Sequence, residues 1–178
     1  IGEGEILITP LKVANIAAII ANKGYYYTPH IVKEIGDNGQ PLPQYAIRHE
    51  TGIDPVHFAP IQEGMLGAVN AGTTNPLARI QGIEIAGKTG TSQNRVGADH
   101  SIFMAYAPAH DPKIAIAVFV ENGGFGGTAA ATVANLVIEK YLKRTVQSKA
   151  LESYVLNKNY MAGVILPKPK QPTTTKEV

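Results

Sequence analysis

The stretch GIEIAGKTGTSQ, residues 82–93, decides the fold because two incompatible motifs overlap within it. Residues 82–89 fit G-x-x-x-x-G-K-[ST], a glycine-rich loop that binds phosphates where a buried strand meets a helix. Residues 88–90 are also a K-T-G triplet, which works on an extended strand that lines a substrate cleft. The neighbouring residues must therefore distinguish the start of a helix from the continuation of a strand.

The residues on both sides of the triplet favour the strand. Ile83 to Ala86 alternate in character as strand residues do, whereas a phosphate-binding loop requires a wrapping turn there. TTNPLARIQ before Gly82 has no strand pattern, and SQNRVGAD after the triplet has no helical period. A phosphate site needs both a strand and a helix at these positions. Nucleotide hydrolysis is therefore kept only as a residual alternative.

Two further strand-like segments follow the triplet. They are SIFMAYAP (residues 101–108) and KIAIAVFVEN (residues 113–122), joined by the short turn PAHDP. Apolar runs of strand length separated by so short a turn predict an antiparallel meander with at least one central strand.

Two helices and a hairpin are predicted before this sheet. Thr9 can cap a first helix that begins at Pro10 and closes at Gly24. We expect this helix to be largely buried through a stripe formed by Val13, Ile16, Ala17 and Ile20. YYYTPHIVKEI (residues 25–35) predicts a peripheral hairpin that reaches Arg48, and Asp54-Pro55 opens a second helical region that becomes regular near Pro60.

A third helix is predicted after the sheet. It is capped by Thr128 and runs to about Arg144, and its expected inner face consists of Ala130, Val133, Ala134, Val137, Ile138 and Tyr141. Helices on both sides of an antiparallel sheet indicate an α+β fold. We expect residues 1–146 to form one unit and residues 147–178 to be a weakly structured or disordered tail. Because the first residues enter a core-like segment directly, we also expect a fragment of a larger domain.

Composition excludes several classes of function. The 16 basic and 14 acidic residues give a net charge of +2, which provides no argument for nucleic acid as a partner. There is no cysteine, and the five histidines share no metal-ligand spacing, so neither a metal site nor a cofactor is expected. The longest apolar run, residues 114–120, is far shorter than the roughly 20 residues of a membrane span.

The K-T-G triplet suits acyl transfer. Such a site needs a hydroxyl nucleophile, a proton acceptor, a cation near the substrate carboxylate, and backbone amides that stabilise the oxyanion. Lys88 can supply the cation, and Thr89 and Thr91 can donate hydroxyl hydrogen bonds to a carboxylate. Gly90 leaves room for a substrate backbone to approach the strand.

Four segments in the same order resemble a known family. IGEGEILITPLKVANIAAIIANKG, NAGTTNPLARIQGIEIAGKTGTSQ, SIFMAYAP and VFVENGG are similar to the C-terminal half of the transpeptidase domain of class B penicillin-binding proteins, and most similar to its elongation-type members. The resemblance covers about residues 1–145. It implies a penicillin-binding or serine β-lactamase-like fold and a D,D-transpeptidase that forms an acyl-serine intermediate and is acylated by β-lactams.

The resemblance also implies roles for the residues of the triplet. Lys88 and Thr91 would be catalytic: Lys88 polarises the hydrogen-bond network and attracts the substrate carboxylate, and the amide of Thr91 forms half of the oxyanion hole. Thr89, Gly90 and Thr91 would bind the substrate. No metal or cofactor is implied.

Two motifs of the family are missing. Ser92, Ser101, Ser148 and Ser153 are not followed by a lysine three residues later, so S-x-x-K, which contains the nucleophile, is absent. Only Ser92-Gln93-Asn94 fits S-x-N, and it follows K-T-G too closely to be the separate loop that the family uses. This chain alone is therefore expected to be inactive, and to fold only with the complementary N-terminal part of the protein or as an intertwined oligomer.

The resemblance places the protein in the cell envelope, on the periplasmic side of the inner membrane, anchored by a segment outside this chain. Its expected partners are a peptidoglycan stem peptide ending in D-Ala-D-Ala and β-lactams. Two alternatives stay open: a D,D-carboxypeptidase or β-lactamase relative that uses water as acceptor, and a non-catalytic penicillin-binding sensor or scaffold.

Three other groups have both a structural and a functional interpretation. His100 beside Asp99 is either a proton carrier or a capping histidine, and the capping role is favoured. Residues 121–124, Glu-Asn-Gly-Gly, are either a turn or part of a cleft rim. The three tyrosines at residues 25–27 are interpreted as hairpin packing and not as a binding platform.

Overall fold

The computed structural model describes residues 4–36, 39–40, 42–72, 74 and 79–160. In chain order its elements are α1 (Pro10–Ala21), β1 (Tyr25–Tyr27), β2 (Arg48–Glu50), α2 (Phe58–Asn70), β3 (Ala86–Ser92), β4 (His100–Ala107), β5 (Ile114–Val120), α3 (Ala130–Lys143) and α4 (Lys149–Leu156). Short 3-10 turns lie at Pro43–Tyr45 and Pro55–His57.

The main sheet is the predicted antiparallel meander, in the order β3-β4-β5. Gly90 lies opposite Ile102, which in turn lies opposite Phe119 on β5. The meander and its single central strand, β4, are confirmed. The first strand begins at Ala86, later than the sequence pattern predicts, because Ile83 instead forms an isolated bridge with Ile80.

The two faces of the sheet pack against different helices. Phe103 and Ala105 of β4 are fully buried in one cluster with Ala134 and Ile138 of α3. Ala86 and Tyr106 belong to a second cluster with buried side chains of α1 and α2, namely Ile20, Phe58 and Met65. Since side chains alternate between the faces of a strand, one sheet supplies both clusters. The predicted α+β class, with an antiparallel sheet flanked by helices, is confirmed.

The first two helices begin as predicted. Thr9 Oγ1 accepts a hydrogen bond from the amide of Lys12 at 3.4 Å, and Pro10 is the first residue of α1. Asp54 caps the 3-10 turn that leads into α2, accepting from the amide of Val56 at 2.9 Å. The expected burial of α1 is wrong in part: Ile16 is 39% exposed, because within the described residues no element covers that side of the helix.

The predicted hairpin is a two-stranded sheet at the periphery. Tyr26 of β1 lies opposite His49 of β2, and their rings stack with centroids 5.1 Å apart. The guanidinium of Arg48 lies 3.9 Å from the centre of the Tyr25 ring. These contacts support the interpretation of the tyrosines as hairpin packing.

The third helix differs from its prediction at two points. Thr128 does not cap it; its hydroxyl donates to the carbonyl of Phe125 at 2.8 Å, and the first amide of α3, Ala130, donates to Ser101 Oγ at 2.9 Å. The predicted inner face is wrong at Val137 and Tyr141, which are 45% and 47% exposed. Their places are taken by polar residues that are buried because α3 is covered on more than one side: Thr132, Asn135 and Glu139.

The prediction of a tail without regular structure from residue 147 is wrong for residues 149–156. They form α4, which packs on α3 and buries Leu151. The carboxylate of Glu139 accepts a hydrogen bond from the amide of Ser148 at 3.1 Å and so holds the start of α4. Residues 161–178 lie outside the described residues, as does most of the predicted loop at 73–81, and the domain boundary at residue 146 stays a prediction.

We predict that Gly87→Ala destabilises the protein. A Cβ atom at this position would lie 2.8 Å from Cε2 of Phe103, whose ring is fully buried and cannot move aside. Overpacking of this kind costs about 1–3 kcal/mol. Gly64→Ala is the matched control: it lies inside α2 with nothing within 4 Å of the added carbon, so the variant should gain roughly 0.5–1 kcal/mol from helix propensity. Urea unfolding followed by circular dichroism measures both, and equal effects would contradict the packing argument.

We predict that Glu139→Gln lowers the free energy of unfolding by about 1–3 kcal/mol at neutral pH. Burial raises the pKa of the Glu139 carboxyl, but hydrogen bonds from Ser148 and Lys143 and the charge of Lys143 together hold this pKa below its ordinary value. A lowered folded-state pKa contributes stability above the unfolded pKa, and this contribution is lost as pH falls through the folded pKa. The difference between wild type and variant should therefore shrink in acid, below about pH 4.

Glu152→Gln is the control for this experiment. Its carboxylate pairs with Lys149 at the surface, at 2.8 Å, and surface pairs contribute less than about 1 kcal/mol. Urea titrations at several pH values measure both variants. Equal losses, or a Glu139→Gln effect that grows on acidification, would contradict the role assigned to Glu139.

Candidate active site on the K-T-G strand

The K-T-G triplet lies in the middle of β3, at one edge of the main sheet. β3 pairs with β4 on one side, and no described strand pairs with its other side. Lys88 is exposed, and its ammonium donates to the carbonyl of Thr89 at 2.5 Å. An unpaired strand edge presents backbone amides and carbonyls that can hydrogen-bond to an extended peptide.

Lys88 and Thr91 project from opposite faces of β3. Thr91 lies opposite Ser101, and Thr89 lies opposite Phe103, which belongs to the cluster on the α3 side. Residues that lie directly opposite on neighbouring strands share a face, so both threonines are on the α3 side. Lys88 is one residue out of phase and lies on the side of α1 and α2. All of the predicted site residues are therefore together on one strand edge.

A glycine-rich loop crosses the sheet beside the triplet. It connects β5 to α3 through residues 121–129, and the amide of Gly126 donates to Thr91 Oγ1 at 3.4 Å. A Cβ atom on Gly126 would overlap the carbonyl oxygens of Gly90 and Ile102 and would lie 3.0 Å from the amide nitrogen of Gly90. Gly126 was not singled out from the sequence. The run GGFGG could have indicated it, since glycine beside a strand often marks close backbone approach.

Ser101 ties this crossing loop to the sheet. Its hydroxyl is fully buried, donates to the carbonyl of Phe125 at 3.1 Å, and accepts from the amide of Ala130 at 2.9 Å. The amide of Ala131 donates to the carbonyl of Gly126 at 3.0 Å. The start of α3 and the loop beside Thr91 are thus fixed by the same β4 side chain.

The turn after β3 contains the formal match to S-x-N. The Asn94 side chain donates to the carbonyl of Val96 at 2.6 Å and to Oδ1 of Asn122 at 2.8 Å. Its backbone amide donates to Asp99 Oδ1 at 3.1 Å. Asn94 therefore organises the turn between β3 and β4, as expected for a residue so close to the triplet.

His100 and residues 121–124 contact each other. His100 Nδ1 accepts a hydrogen bond from the amide of Asn122 at 3.1 Å, and the imidazole lies 5.3 Å from the Phe119 ring. The carbonyl of Asp99 accepts from the amide of Gly124 at 2.8 Å. These contacts favour the capping interpretation of His100, and they attach residues 121–124 to the start of β4.

The phosphate-loop interpretation of residues 82–89 is wrong. Lys88 and Thr89 are consecutive residues of a strand, so no helix dipole or helical amides begin at this point. After β3, the next helix in the described part of the chain is α3, at Ala130. The triplet itself is paired with β4 along its length, so the chain cannot wrap around a phosphate there as a phosphate-binding loop does.

The described residues offer neither a cluster of metal-binding side chains nor a helix that could cross a membrane. Residues 4–36, 39–40, 42–72, 74 and 79–160 contain no group of three or more His, Cys, Asp or Glu side chains that could hold a metal ion. In the same part of the chain, every helix is too short or too polar to cross a membrane.

Comparison with known proteins identifies the family. The family described as "Penicillin binding protein transpeptidase domain" matches residues 1–139. Peptidoglycan D,D-transpeptidase PbpA of Mycobacterium tuberculosis is 34% identical over 154 residues, which cover 80% of this chain and 31% of the relative. Peptidoglycan D,D-transpeptidase MrdA of Haemophilus influenzae is 33% identical over 172 residues, which cover 81% of this chain and 25% of the relative.

Solved structures agree with this result. The imipenem acyl-enzyme complex of M. tuberculosis penicillin-binding protein A matches with a TM-score of 0.67 and 35% identity, covering 79% of this chain and 32% of that one. Pseudomonas aeruginosa PBP2 in complex with WCK 5153 matches with a TM-score of 0.69 and 37% identity, covering 79% and 31%.

The chain spans about a third or less of the length of these relatives. The match nevertheless includes the sheet, the K-T-G strand and most of α3. The chain belongs to the penicillin-binding protein transpeptidase family, and within it to the class B proteins.

Proposed function

We propose that this chain is the C-terminal half of a peptidoglycan D,D-transpeptidase and supplies the substrate-binding strand of its active site. The observation that carries the proposal is the place of Lys88 to Thr91 on a sheet edge that no described strand covers. A stem peptide ending in D-Ala-D-Ala binds along this edge as an added strand. β-Lactams occupy the same position and acylate the nucleophilic serine that otherwise reacts with the stem peptide.

Lys88 and the two threonines recognise the terminal carboxylate of the donor peptide. Lys88 is exposed, so its ammonium can leave the carbonyl of Thr89 and turn towards an anion. Hydrogen bonds from an ammonium or a hydroxyl to an ionised carboxylate are charge-assisted and therefore stronger than bonds between neutral groups. Gly90 adds no side chain between them and so lets the peptide approach the strand.

The amide of Thr91 forms half of the oxyanion hole. In an antiparallel strand the N–H and C=O groups of one residue point to the same edge, and the edge alternates along the chain. The Thr89 carbonyl accepts from the Lys88 ammonium, which supports an outward orientation for Thr89 and, two residues later, for Thr91. The second amide of the oxyanion hole comes from the nucleophilic serine.

The nucleophile lies in a complementary part of the protein, since no serine of this chain fits S-x-x-K. The same part covers the apolar surface of α1 and β5. Ile8, Val13, Ile102 and Phe119 line a cleft of about 250 Å³ there, and Phe119 is 43% exposed. Burying apolar surface of this kind stabilises an assembly by about 25 cal/mol per Å². An intertwined oligomer is the alternative source of such a cover.

The site of action is the cell envelope, on the periplasmic side of the inner membrane, where peptidoglycan is assembled. Support for this location comes from the relatives, which are named peptidoglycan D,D-transpeptidases. The enzyme is anchored through a segment outside this chain, and it needs no cofactor because an acyl-serine reaction uses only side chains and backbone amides.

We predict that fluorescent penicillin labels the intact protein that contains this chain, that Lys88→Ala reduces the labelling rate by about 100-fold or more, and that this chain alone is not labelled. Loss of a preorganised charged group that stabilises the transition state costs on the order of 100-fold in rate. Lys113→Ala is the matched control, because Lys113 pairs with Asp111 in the turn between β4 and β5. Labelling is followed on denaturing gels over time.

The same experiment separates the alternatives. Transfer of the acyl group to an amine acceptor identifies a transpeptidase, whereas release by water identifies a carboxypeptidase or β-lactamase relative. A stable acyl-enzyme without transfer identifies a sensor. No labelling of the intact protein, or equal labelling of Lys88→Ala and wild type, contradicts the assignment of the K-T-G strand.

A further inference from the structure

Asn122 has an unusual backbone conformation. It lies two residues beyond Val120, the last residue of β5, and has a φ of 55°, in the left-handed region that residues other than glycine seldom occupy, asparagine more often than most. Asparagine tolerates this conformation better than most residues, and hydrogen bonds of both its backbone and its side chain hold it here.

Two hydrogen bonds hold Asn122 to the start of β4 and to the turn after β3. Its amide donates to His100 Nδ1 at 3.1 Å, which fixes the imidazole as the tautomer with its proton on Nε2. Its Oδ1 accepts from Asn94 Nδ2 at 2.8 Å. A Cβ atom on Gly97 would lie 2.9 Å from the same Oδ1, so the turn closes tightly around the Asn122 amide group.

The contacts of Asn122 involve the two segments that lie next to the K-T-G strand, namely the turn after β3 and the crossing loop. On one side, Asn94 is two residues beyond Ser92, the last residue of β3. On the other side, Asn122 is the second residue of the crossing loop, in which Gly126 contacts Gly90 and donates to Thr91 Oγ1. Asn122 therefore joins the turn that follows the strand to the loop that packs against it.

We propose that Asn122, with Asn94 as its partner, is a positioning residue for acylation; this inference rests on the proposed function of the K-T-G strand. The Asn94–Asn122 pair fixes the second residue of the crossing loop and, together with the hydrogen bond of Ser101 to Phe125, the place of Gly126. Because Gly126 donates to Thr91 Oγ1, that oxygen serves as an acceptor, and the Thr91 hydroxyl hydrogen is left to be donated to the substrate carboxylate. Without the pair, Gly126 moves and the Thr91 hydroxyl loses its fixed direction.

The test measures acylation by fluorescent penicillin in the intact protein, as a saturating rate and a half-saturating concentration, together with the melting temperature. Asn122→Gly keeps the positive φ and removes the side chain. Asn94→Ala removes the hydrogen-bond partner of Asn122 without changing the Asn122 backbone. Asn122→Asp keeps a side-chain oxygen that accepts a hydrogen bond from Asn94. Lys23→Gly is the control, because Lys23 has a φ of 58° after α1, away from β3.

We expect Asn122→Gly and Asn94→Ala each to lower the saturating acylation rate roughly tenfold, since small misplacements of an active-site group have effects of this order. The double variant should lose no more than Asn94→Ala alone, because Asn94→Ala already removes the contact with Asn122 as well as the hydrogen bonds of Asn94 within its own turn. Asn122→Asp should recover most of the rate. Lys23→Gly should acylate at the wild-type rate, whatever its effect on the melting temperature.

Wild-type acylation rates in both Asn122→Gly and Asn94→Ala would overturn the proposal, and so would rates that only follow the melting temperature across the five variants. If Asn122→Gly fails to fold, Asn94→Ala alone decides between these outcomes. Failure of the proposed function gives a different result: the wild-type intact protein is not labelled, or Lys88→Ala is labelled as fast as wild type.

Discussion

The close approach of Gly126 to the backbone of Gly90 and Ile102 is the contact on which the arrangement of the site depends. No side chain fits between the loop and the strand at this point, because a Cβ atom on Gly126 would overlap both carbonyl oxygens. The loop therefore lies directly on the sheet, where Ser101 can bind Phe125 and the first amide of α3. One backbone contact thus couples the K-T-G strand, the crossing loop and the start of α3.

The alternation of a β-strand explains how four consecutive residues, 88–91, can serve one proposed site. Lys88 and Thr91 leave β3 on opposite faces, yet both are at the outer edge of the sheet, which no described strand covers. This edge therefore presents an ammonium on one side and hydroxyls on the other, with Gly90 between them, and one strand carries all of these groups.

Buried polar residues account for one difference between the sequence pattern and the structure, which lies in the third helix. The inner face of α3 was expected to be apolar, but Asn135 and Glu139 are fully or almost fully buried in it. Glu139 is buried because α4 covers it and because Ser148 and Lys143 provide hydrogen bonds to its carboxylate. An argument from periodicity assigns polar residues to solvent. It failed at Glu139 because one hydrogen-bond partner, Ser148, caps α4, and this helix lies in the segment that was predicted to be a tail.

The sequence by itself determined the class of fold, the order of its elements, the meander and the place of the K-T-G triplet on a strand, because these follow from local periodicity, capping residues and turns. It also carried the resemblance that the family match bears out. Only the tertiary structure decided that Ser101 and not Thr128 caps α3, that Gly126 lies on Gly90, and that Asn94 and Asn122 join two turns. Each of these contacts connects residues about 28 to 36 positions apart in the chain, and nothing in a local pattern records which distant partner a hydroxyl, an amide or a glycine will meet.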